Sequence, residues 1–265
     1  MNVIEEQIVN GEIRSDLVSA PADKGFHLRF LKGDSSDLDA VLRLRYRVFN
    51  VELQEGLLRS HLSGKDEDGF DRYCDHLVIC KNGTGEPVGT YRLQTLEMAQ
   101  ANIGFYSAAE FDFSKFPEEY RKAGVEIGRA CIDNDHRNVK VLFLLWKGLM
   151  KYLEIKGKLF LFGCTSLTAQ DPREGWHAFD YLCTHGSMHK DIFLDARPDF
   201  TCGEYPEPAR APQKATIPRL LKAYLNFGAK ICSEPALDRA FGTIDFLTLL
   251  SIEDLDDKTF DFFTR

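Results

Sequence analysis

The stretch Gly124 to Leu153, GVEIGRACIDNDHRNVKVLFLLWKGLMKYL, limits the fold more than any other part of the chain. Val125 to Ile132 has the character of a short strand and carries Glu126 and Arg129. A polar turn, Asp133 to His136, follows. From Arg137 onward Val141, Leu142, Leu145, Leu149 and Leu153 recur at helical spacing. The spacing predicts strand, turn and helix, with the helix opening at Arg137. A strand that runs into a helix N-terminus leaves several backbone N–H groups unpaired and pointing one way. Together with the helix dipole they suit a phosphate or a developing oxyanion. A carboxylate beside such a place can act as a general base.

At 265 residues the chain is long enough to bury a real core as one domain, or as one domain with an insertion. Its net charge of −8 argues against nucleic acid as a partner, which favours a basic face. The seven cysteines form no CxxC pair, their count is odd, and no signal-peptide pattern precedes them. Reduced thiols in the cytosol are therefore expected. No uninterrupted apolar run reaches membrane-spanning length.

Residues 1–24 are polar and are read as a loosely held lead-in, with residues 25–265 as a single domain. His27 to Leu31 alternates as a strand, and Leu38 to Leu53 has helical spacing behind a Gly33–Ser36 turn. An irregular acidic stretch from Ser60 to Asp75 leads to two strands, His76–Lys81 and Pro87–Gln94, joined as a hairpin. After the central strand and helix, Lys158 to Gly163 is a further strand, expected parallel to the one at Val125–Ile132. The composition then shifts, and 165–212 is read as an insertion holding a helix at Arg173–Thr184 and a proline-rich exit at Pro206, Pro208 and Pro212. Ile217-Pro218 opens a helix closed by Gly228; Ala229–Ser233 and Thr243–Leu250 are the last strands, and Phe260, Phe262 and Phe263 form an aromatic tail.

Two readings of Glu126 are open: a structural ion pair with Arg129, or a general base tuned by burial and by that arginine. Arg137 is unfavourable at the positive end of a helix dipole. A shared anionic ligand would explain it, and so would an exposed loop position. Arg45 and Phe49, one turn apart, are expected to face the same way. Asp68, Asp71 and Asp75 lack the spacing and central glycine of a calcium loop, so no metal is expected. His61 and Asp66 form an HxxxxD pair of the kind seen in glycerolipid O-acyltransferases, read here as coincidence. His177, His185, His189 and Cys183 fit no standard zinc spacing.

Taken together, these residues resemble the GNAT-fold N-acyltransferases that use acyl carrier protein. One similar branch is the acyl-homoserine lactone synthases, through Arg45-x-x-Val-Phe49, Asp68-x-x-Asp71, Gly89-x-x-Arg92 and Glu126-x-x-Arg129. The other is the ornithine-lipid, or hemolysin-like, N-acyltransferase group. That similarity extends through Phe105-Tyr-Ser107, Glu110-Phe-Asp112, Leu161-Phe-Gly163, Pro218-x-Leu-Leu-Lys-x-Tyr224, Gly228-Ala229, Pro235-Ala236, Asp238, Phe241 and Asp245-Phe246. It spans about Arg45 to Leu250, whereas lactone synthases are usually shorter and lack the C-terminal block.

The resemblance implies an α/β (α+β) fold, a GNAT-like mixed central sheet flanked by helices, with the insertion after the fifth strand. It implies transfer of a (3-hydroxy)fatty acyl group from acyl carrier protein to the α-amine of an amino acid, ornithine first among them, giving a lyso-aminolipid. Acyl-homoserine lactone synthesis, or synthesis of another long-chain N-acyl amino acid, is the alternative. Glu126 and Arg129 would be catalytic. Arg137, Lys140, Phe143 and Trp146 would hold the acyl donor, and Arg45, Phe49, Asp68, Asp71 and Arg92 the acceptor. No cofactor would be tightly bound, since acyl-phosphopantetheine on the carrier protein is a co-substrate. The partners implied are acyl carrier protein and an amino acid, with a cytoplasmic location extending to peripheral contact with the inner membrane.

Overall fold

The structure, a computed structural model, describes residues 8–9, 12–13, 25–205, 216–256, 259–260 and 263. Pro206, Pro208, Pro212 and Phe262 lie outside the described residues, as does most of the expected lead-in. Within that lead-in, Ile8–Val9 and Glu12–Ile13 pair as a short antiparallel ladder.

The elements that frame the main sheet are strands β1 (Phe26–Lys32), β2 (Asp75–Lys81), β3 (Pro87–Thr95), β4 (Gly124–Ile132), β5 (Phe160–Leu167), β6 (Lys230–Ile231), β7 (Ala236–Asp238) and β8 (Thr243–Ser251). The helices used below are α1 (Leu38–Tyr46), α2 (Val139–Lys156), α3 (Pro172–Thr184) and α4 (Arg219–Asn226). The eight-stranded sheet runs β1-β2-β3-β4-β5-β8-β6, with β7 also paired to β8. Every pairing in it is antiparallel except β4 with β5.

That parallel pairing is short. Gly124, Val125 and Glu126 pair with Phe160, Leu161 and Phe162, and the register ends there. Beyond it β4 stays with β3 while β5 stays with β8. The sheet therefore opens as a V just after Glu126. A bulge sharpens the opening: Thr90 pairs with Cys131 and Arg92 with Gly128, so two residues of β4, Arg129 and Ala130, oppose Tyr91 alone. Arg129 takes the left-handed conformation, φ 50°, which costs a residue with a Cβ and persists only where its surroundings fix it.

Helix α2 covers one face. Val141, Leu145, Leu149 and Leu153 are buried at the predicted helical spacing and join Leu28, Leu77, Tyr91 and Val125 in the largest core cluster. Gly148 lets the helix close on the sheet, since a Cβ there would meet Leu28 and Leu77 methyls at 2.5 Å. The helix begins two residues later than the spacing predicts. Asn138 is its cap, and its Oδ1 accepts from Lys140 N at 3.0 Å and Val141 N at 3.1 Å. Arg137 thus lies outside the first turn, and its expected conflict with the dipole does not arise.

The helix expected over Leu38–Leu53 also differs. After α1 the backbone widens into a π-helical segment, Arg47–Glu52. The strand after Lys158 is longer than expected and reaches Leu167, inside the stretch read as insertion. Helix α3, Pro172–Thr184, sits almost where the sequence placed it, capped by Asp171. Of the expected Ala229–Ser233 strand only Lys230–Ile231 forms, and Ala236–Asp238 is added.

Candidate active site

A cavity of about 850 Å³ fills the V between β4 and β5. Glu126, Arg129 and Cys131 of β4 line one side, and Gly163, Cys164 and Ser166 of β5 the other. Its apolar end is walled by Leu142, Leu145 and Trp146 of α2 and by Leu220, Leu221 and Tyr224 of α4. Each strand beyond the split has lost one neighbour, so backbone polar groups on the facing edges open onto this space.

Glu126 is only 5% exposed yet lines the cavity. Its carboxylate accepts from Tyr106 N at 2.9 Å, Ser107 N at 2.7 Å and Ser107 Oγ at 2.6 Å. Burial pushes its pKa above the ordinary carboxylate value, while the Ser107 and Tyr106 donors and the Arg92 charge oppose that rise. The hydrogen bonds leave it oriented, and the desolvation makes it a stronger base than a surface glutamate. Of the two readings left open for Glu126, the ion pair with Arg129 does not form; donors from the loop after Gly104 take its place.

Arg129 turns instead toward acids on the other side. Its Nη2 is 2.9 Å from Asp68 Oδ2 and its Nε 3.3 Å from Asp66 Oδ2. Its guanidinium lies over the rings of Tyr106 at 5.0 Å and Phe241 at 4.4 Å. Arg45, 0% exposed, is held by Asp66 at 2.7 Å and Asp71 at 2.6 Å. Arg92 Nη1 reaches Asp68 at 2.6 Å and Asp71 at 3.1 Å. Three arginines and three aspartates thus neutralise one another in a buried block. Burial alone would raise the pKa of Asp71, but Arg45 and Arg92 hold it far below the usual carboxylate range. Asp68 is lowered too, its own burial outweighed by Arg92 and Arg129.

This geometry corrects the expected acceptor site. Asp68 and Asp71 do not line the cavity, and their charges are already met by arginines. Arg45 lies beneath with them, whereas Phe49 lines the cavity and packs edge-on against Phe241 at 5.5 Å. The two part company because the chain leaves α-helical geometry at Arg47, which removes the one-turn alignment. Arg92 and Arg129 do line the cavity. Of the expected donor residues, Arg137 and Trp146 line it. Lys140 and Phe143 do not line it, and the Phe143 ring packs against Phe263 at 5.5 Å. Arg137 is clamped by both carboxylate oxygens of Glu52 and donates to Ile132 O at 3.0 Å.

Nothing in the sequence singles out Ser107 as the hydroxyl donor to Glu126, or α4 as a wall of the site. The same holds for an acidic group further along the cavity: Glu55, Cys164 and Asp245 line it, with Glu110 packed behind. The stretches Phe105-Tyr-Ser107, Glu110-Phe-Asp112 and Asp245-Phe246 stand out as motifs, without a hint that the fold brings them together.

A buried, oriented carboxylate beside a split parallel pair is an arrangement that suits transfer of an acyl group to an amine. Comparison with known proteins agrees. The family model for the acetyltransferase (GNAT) domain matches residues 44–147. The L-ornithine N(alpha)-acyltransferase of Rhizobium meliloti (strain 1021) is 31% identical over 244 residues, covering 88% of this chain and 82% of that protein. The protein of the same name from Agrobacterium fabrum is 32% identical over 237 residues, with 85% and 80% covered. That from Rhodobacter capsulatus is 30% identical, with 93% and 97% covered. Among solved structures, the CoA-dependent acyl-homoserine lactone synthase MesI shares the fold, with a TM-score of 0.50 at 11% identity over 89% of this chain and 93% of that one. With a GNAT domain around Glu126 and this degree of identity across nearly the whole chain, the protein is an acyltransferase and belongs to the L-ornithine N(alpha)-acyltransferase family.

Proposed function

We propose that the chain moves a (3-hydroxy)fatty acyl group from the phosphopantetheine of acyl carrier protein to the α-amine of ornithine. The name shared by its relatives supports ornithine as acceptor. The single observation that carries the chemistry is the Glu126 carboxylate, buried, oriented by Ser107 and Tyr106, and facing the split between β4 and β5.

In this reading Glu126 takes a proton from the ammonium form of the α-amine, directly or through one water. The free amine attacks the thioester carbonyl, and a C–N bond forms. Backbone N–H groups on the open edge of β4 beyond Arg129 receive the oxyanion, an effect often worth several kcal/mol. The C–S bond then breaks, the pantetheine sulfur leaves as thiolate, and a proton returns to it. Arg129 and Arg92 are positioning residues: locked by Asp66, Asp68 and Asp71, they fix the bulge on which the site is built. The fatty chain lies along Leu142, Leu145, Trp146, Leu220 and Tyr224, and Arg137 stands at the cavity wall toward the donor's phosphate. The donor is a co-substrate, so no cofactor stays bound.

The product bears a fatty chain, so the work is done in peripheral contact with the inner membrane; among the described residues no helix is long and apolar enough to cross a membrane. The test is to supply acyl carrier protein loaded with a 3-hydroxyacyl chain, add single amino acids, and follow thiol release and N-acyl product by mass spectrometry. Thiol release with ornithine, reduced about 100-fold or more in Glu126→Gln, is the expected result. No release with any amino acid, or lactone formation from S-adenosylmethionine instead, would sink the proposal.

A further inference from the structure

The charges of the Asp66, Asp68 and Asp71 block are met within the protein, but a second acidic group is not. Glu110 is 1% exposed; among the described residues no hydroxyl, amide or cationic donor meets its carboxylate oxygens, and the polar groups against it are Asp245 and Cys164. Asp245 is 3% exposed; Ser166 and Thr243 lie against its carboxylate, but its Oδ1 accepts no hydrogen bond of good geometry. One oxygen of each and the sulfur of Cys164 all lie within 4.8 Å of one another. Glu55, buried on the cavity wall and hydrogen-bonded to Thr168, is close enough to feel the Asp245 charge. Among the described residues no arginine or lysine ion-pairs with Glu110 or Asp245. Two ionised carboxylates have no donor to offer each other, so either a proton or a cation must sit between them.

The group is connected to the base. Cys164 Sγ is 3.4 Å from Ser107 Oγ, which is 2.6 Å from Glu126. Cys164 and Asp245 line the same cavity as Glu126. An acceptor whose α-amine meets Glu126 would place a short aliphatic side chain toward Asp245, and a terminal ammonium there would meet the unpaired oxygens.

We infer that Asp245, Glu110 and Glu55 form the subsite for the side-chain ammonium of a diamino acid acceptor, and so select acceptors with a second positive charge. This rests on the N-acyltransferase reading above. Zinc would bind through the Cys164 sulfur as a thiolate as well as through the carboxylates. An ammonium needs only oxygen acceptors, which the group has to spare.

Two measurements test it. The first compares ornithine with norvaline, which has the same side-chain length without the ammonium, as acceptors for wild type, Asp245→Asn and Glu110→Gln. Wild type is expected to favour ornithine in kcat/KM by about 100-fold or more, because buried acids are left unmet by norvaline. In either variant that ratio should fall by about 10-fold or more, carried by the KM for ornithine. The second is calorimetric titration of ornithine and norvaline at pH 6 in buffers of different ionisation enthalpy. Ornithine should bind with clearly more proton release in wild type than in Asp245→Asn. Equal use of the two amino acids by wild type, or equal losses for both in the variants, would overturn the inference. So would a stoichiometric metal in the purified protein that Cys164→Ser loses. If ornithine binds in this Asp245-dependent way and no thiol is released, the subsite stands and the transfer reaction falls.

Discussion

Ser107 donates twice to one oxygen of Glu126, through its amide at 2.7 Å and its hydroxyl at 2.6 Å. The two bonds act against burial, which is the largest influence on this carboxylate and raises its pKa. A base must be unprotonated to work, so activity fades as the pH drops through that raised value. Ser107→Ala removes the hydroxyl donor, leaves the amide, and moves the acid limb of kcat to higher pH. We expect the variant to lose about 10-fold at pH 6 and only a few-fold at pH 9, since a hydrogen bond to a charged group is worth about 1.5–3 kcal/mol. A uniform loss across the pH range would show that the hydroxyl does something other than hold the ionised carboxylate.

Asp71 touches Arg45 at 2.6 Å and Arg92 at 3.1 Å, and all three are buried. Asp71→Asn leaves two arginines short of a counter-charge in a place with little water. Breaking a buried pair from one side costs about 3–5 kcal/mol. Denaturant melts should show that loss at pH 7. Asp71 is depressed in the fold, so its contribution is full above the ordinary value of 3.8 and fades as the pH falls toward the lower folded value. The gap between wild type and variant should therefore hold from pH 7 down to about pH 4 and close only below it. A variant as stable as wild type at pH 7 would mean that the block is not a supporting structure.

Gly163 sits where β5 leaves β4. A Cβ there would lie 2.1 Å from the Ile127 carbonyl oxygen, a rigid backbone atom. Gly163→Ala must therefore push the strands apart at the base of the V, and overpacking of this kind costs about 1–3 kcal/mol or more. Gly128→Ala, across the cavity on β4, meets nothing within 4 Å and is the matched control. Thermal melts should separate the two clearly. If Gly163→Ala melts with Gly128→Ala, the close approach of the two strands is not what sets the opening.

Local features were legible and partners were not. The strand, turn and helix of residues 124–153 follow from a 3.6-residue apolar period, and that period survives folding because it is the face that meets the sheet. The helix start was misplaced by two residues because capping is decided by which side chain reaches the N–H groups, and Asn138 does so. Asp68 and Asp71 looked ready for a cationic substrate because a sequence does not say which charges are already answered. Arg45, Arg92 and Arg129, from three separate elements, answer them. Glu110 and Asp245 are 135 positions apart in the chain and meet only in the fold, where the loop after Ser107 packs against Cys164 of β5 and Asp245 of β8. The donors to Glu126 include two backbone amides, which carry no signature in residue type.

The acid group by Cys164 carries a cost that can be measured in the empty protein. Burial, then the nearby Asp238 charge, push Asp245 up to about 6, while Ser166 opposes the rise. Glu110 is pushed well above its ordinary value by burial and by Asp245 and Asp238. Between 3.8 and about 6 the unfolded chain has released the Asp245 proton and the folded chain has kept it, so stability falls as the pH rises through that window. Above it the penalty is complete. A rise of that size in the pKa corresponds to a penalty of up to about 3 kcal/mol. Asp245→Asn has no charge to bury, so it should melt higher than wild type at pH 8, and this advantage should shrink toward pH 4. Adding ornithine at pH 8 should recover part of the difference for wild type and none for the variant. The same carboxylates would then weaken the empty fold and hold the acceptor, a trade met where a site is kept ready for a charge it does not itself supply. A variant that melts lower than wild type at pH 8 would show that Asp245 is satisfied by the protein and has nothing to offer a cation.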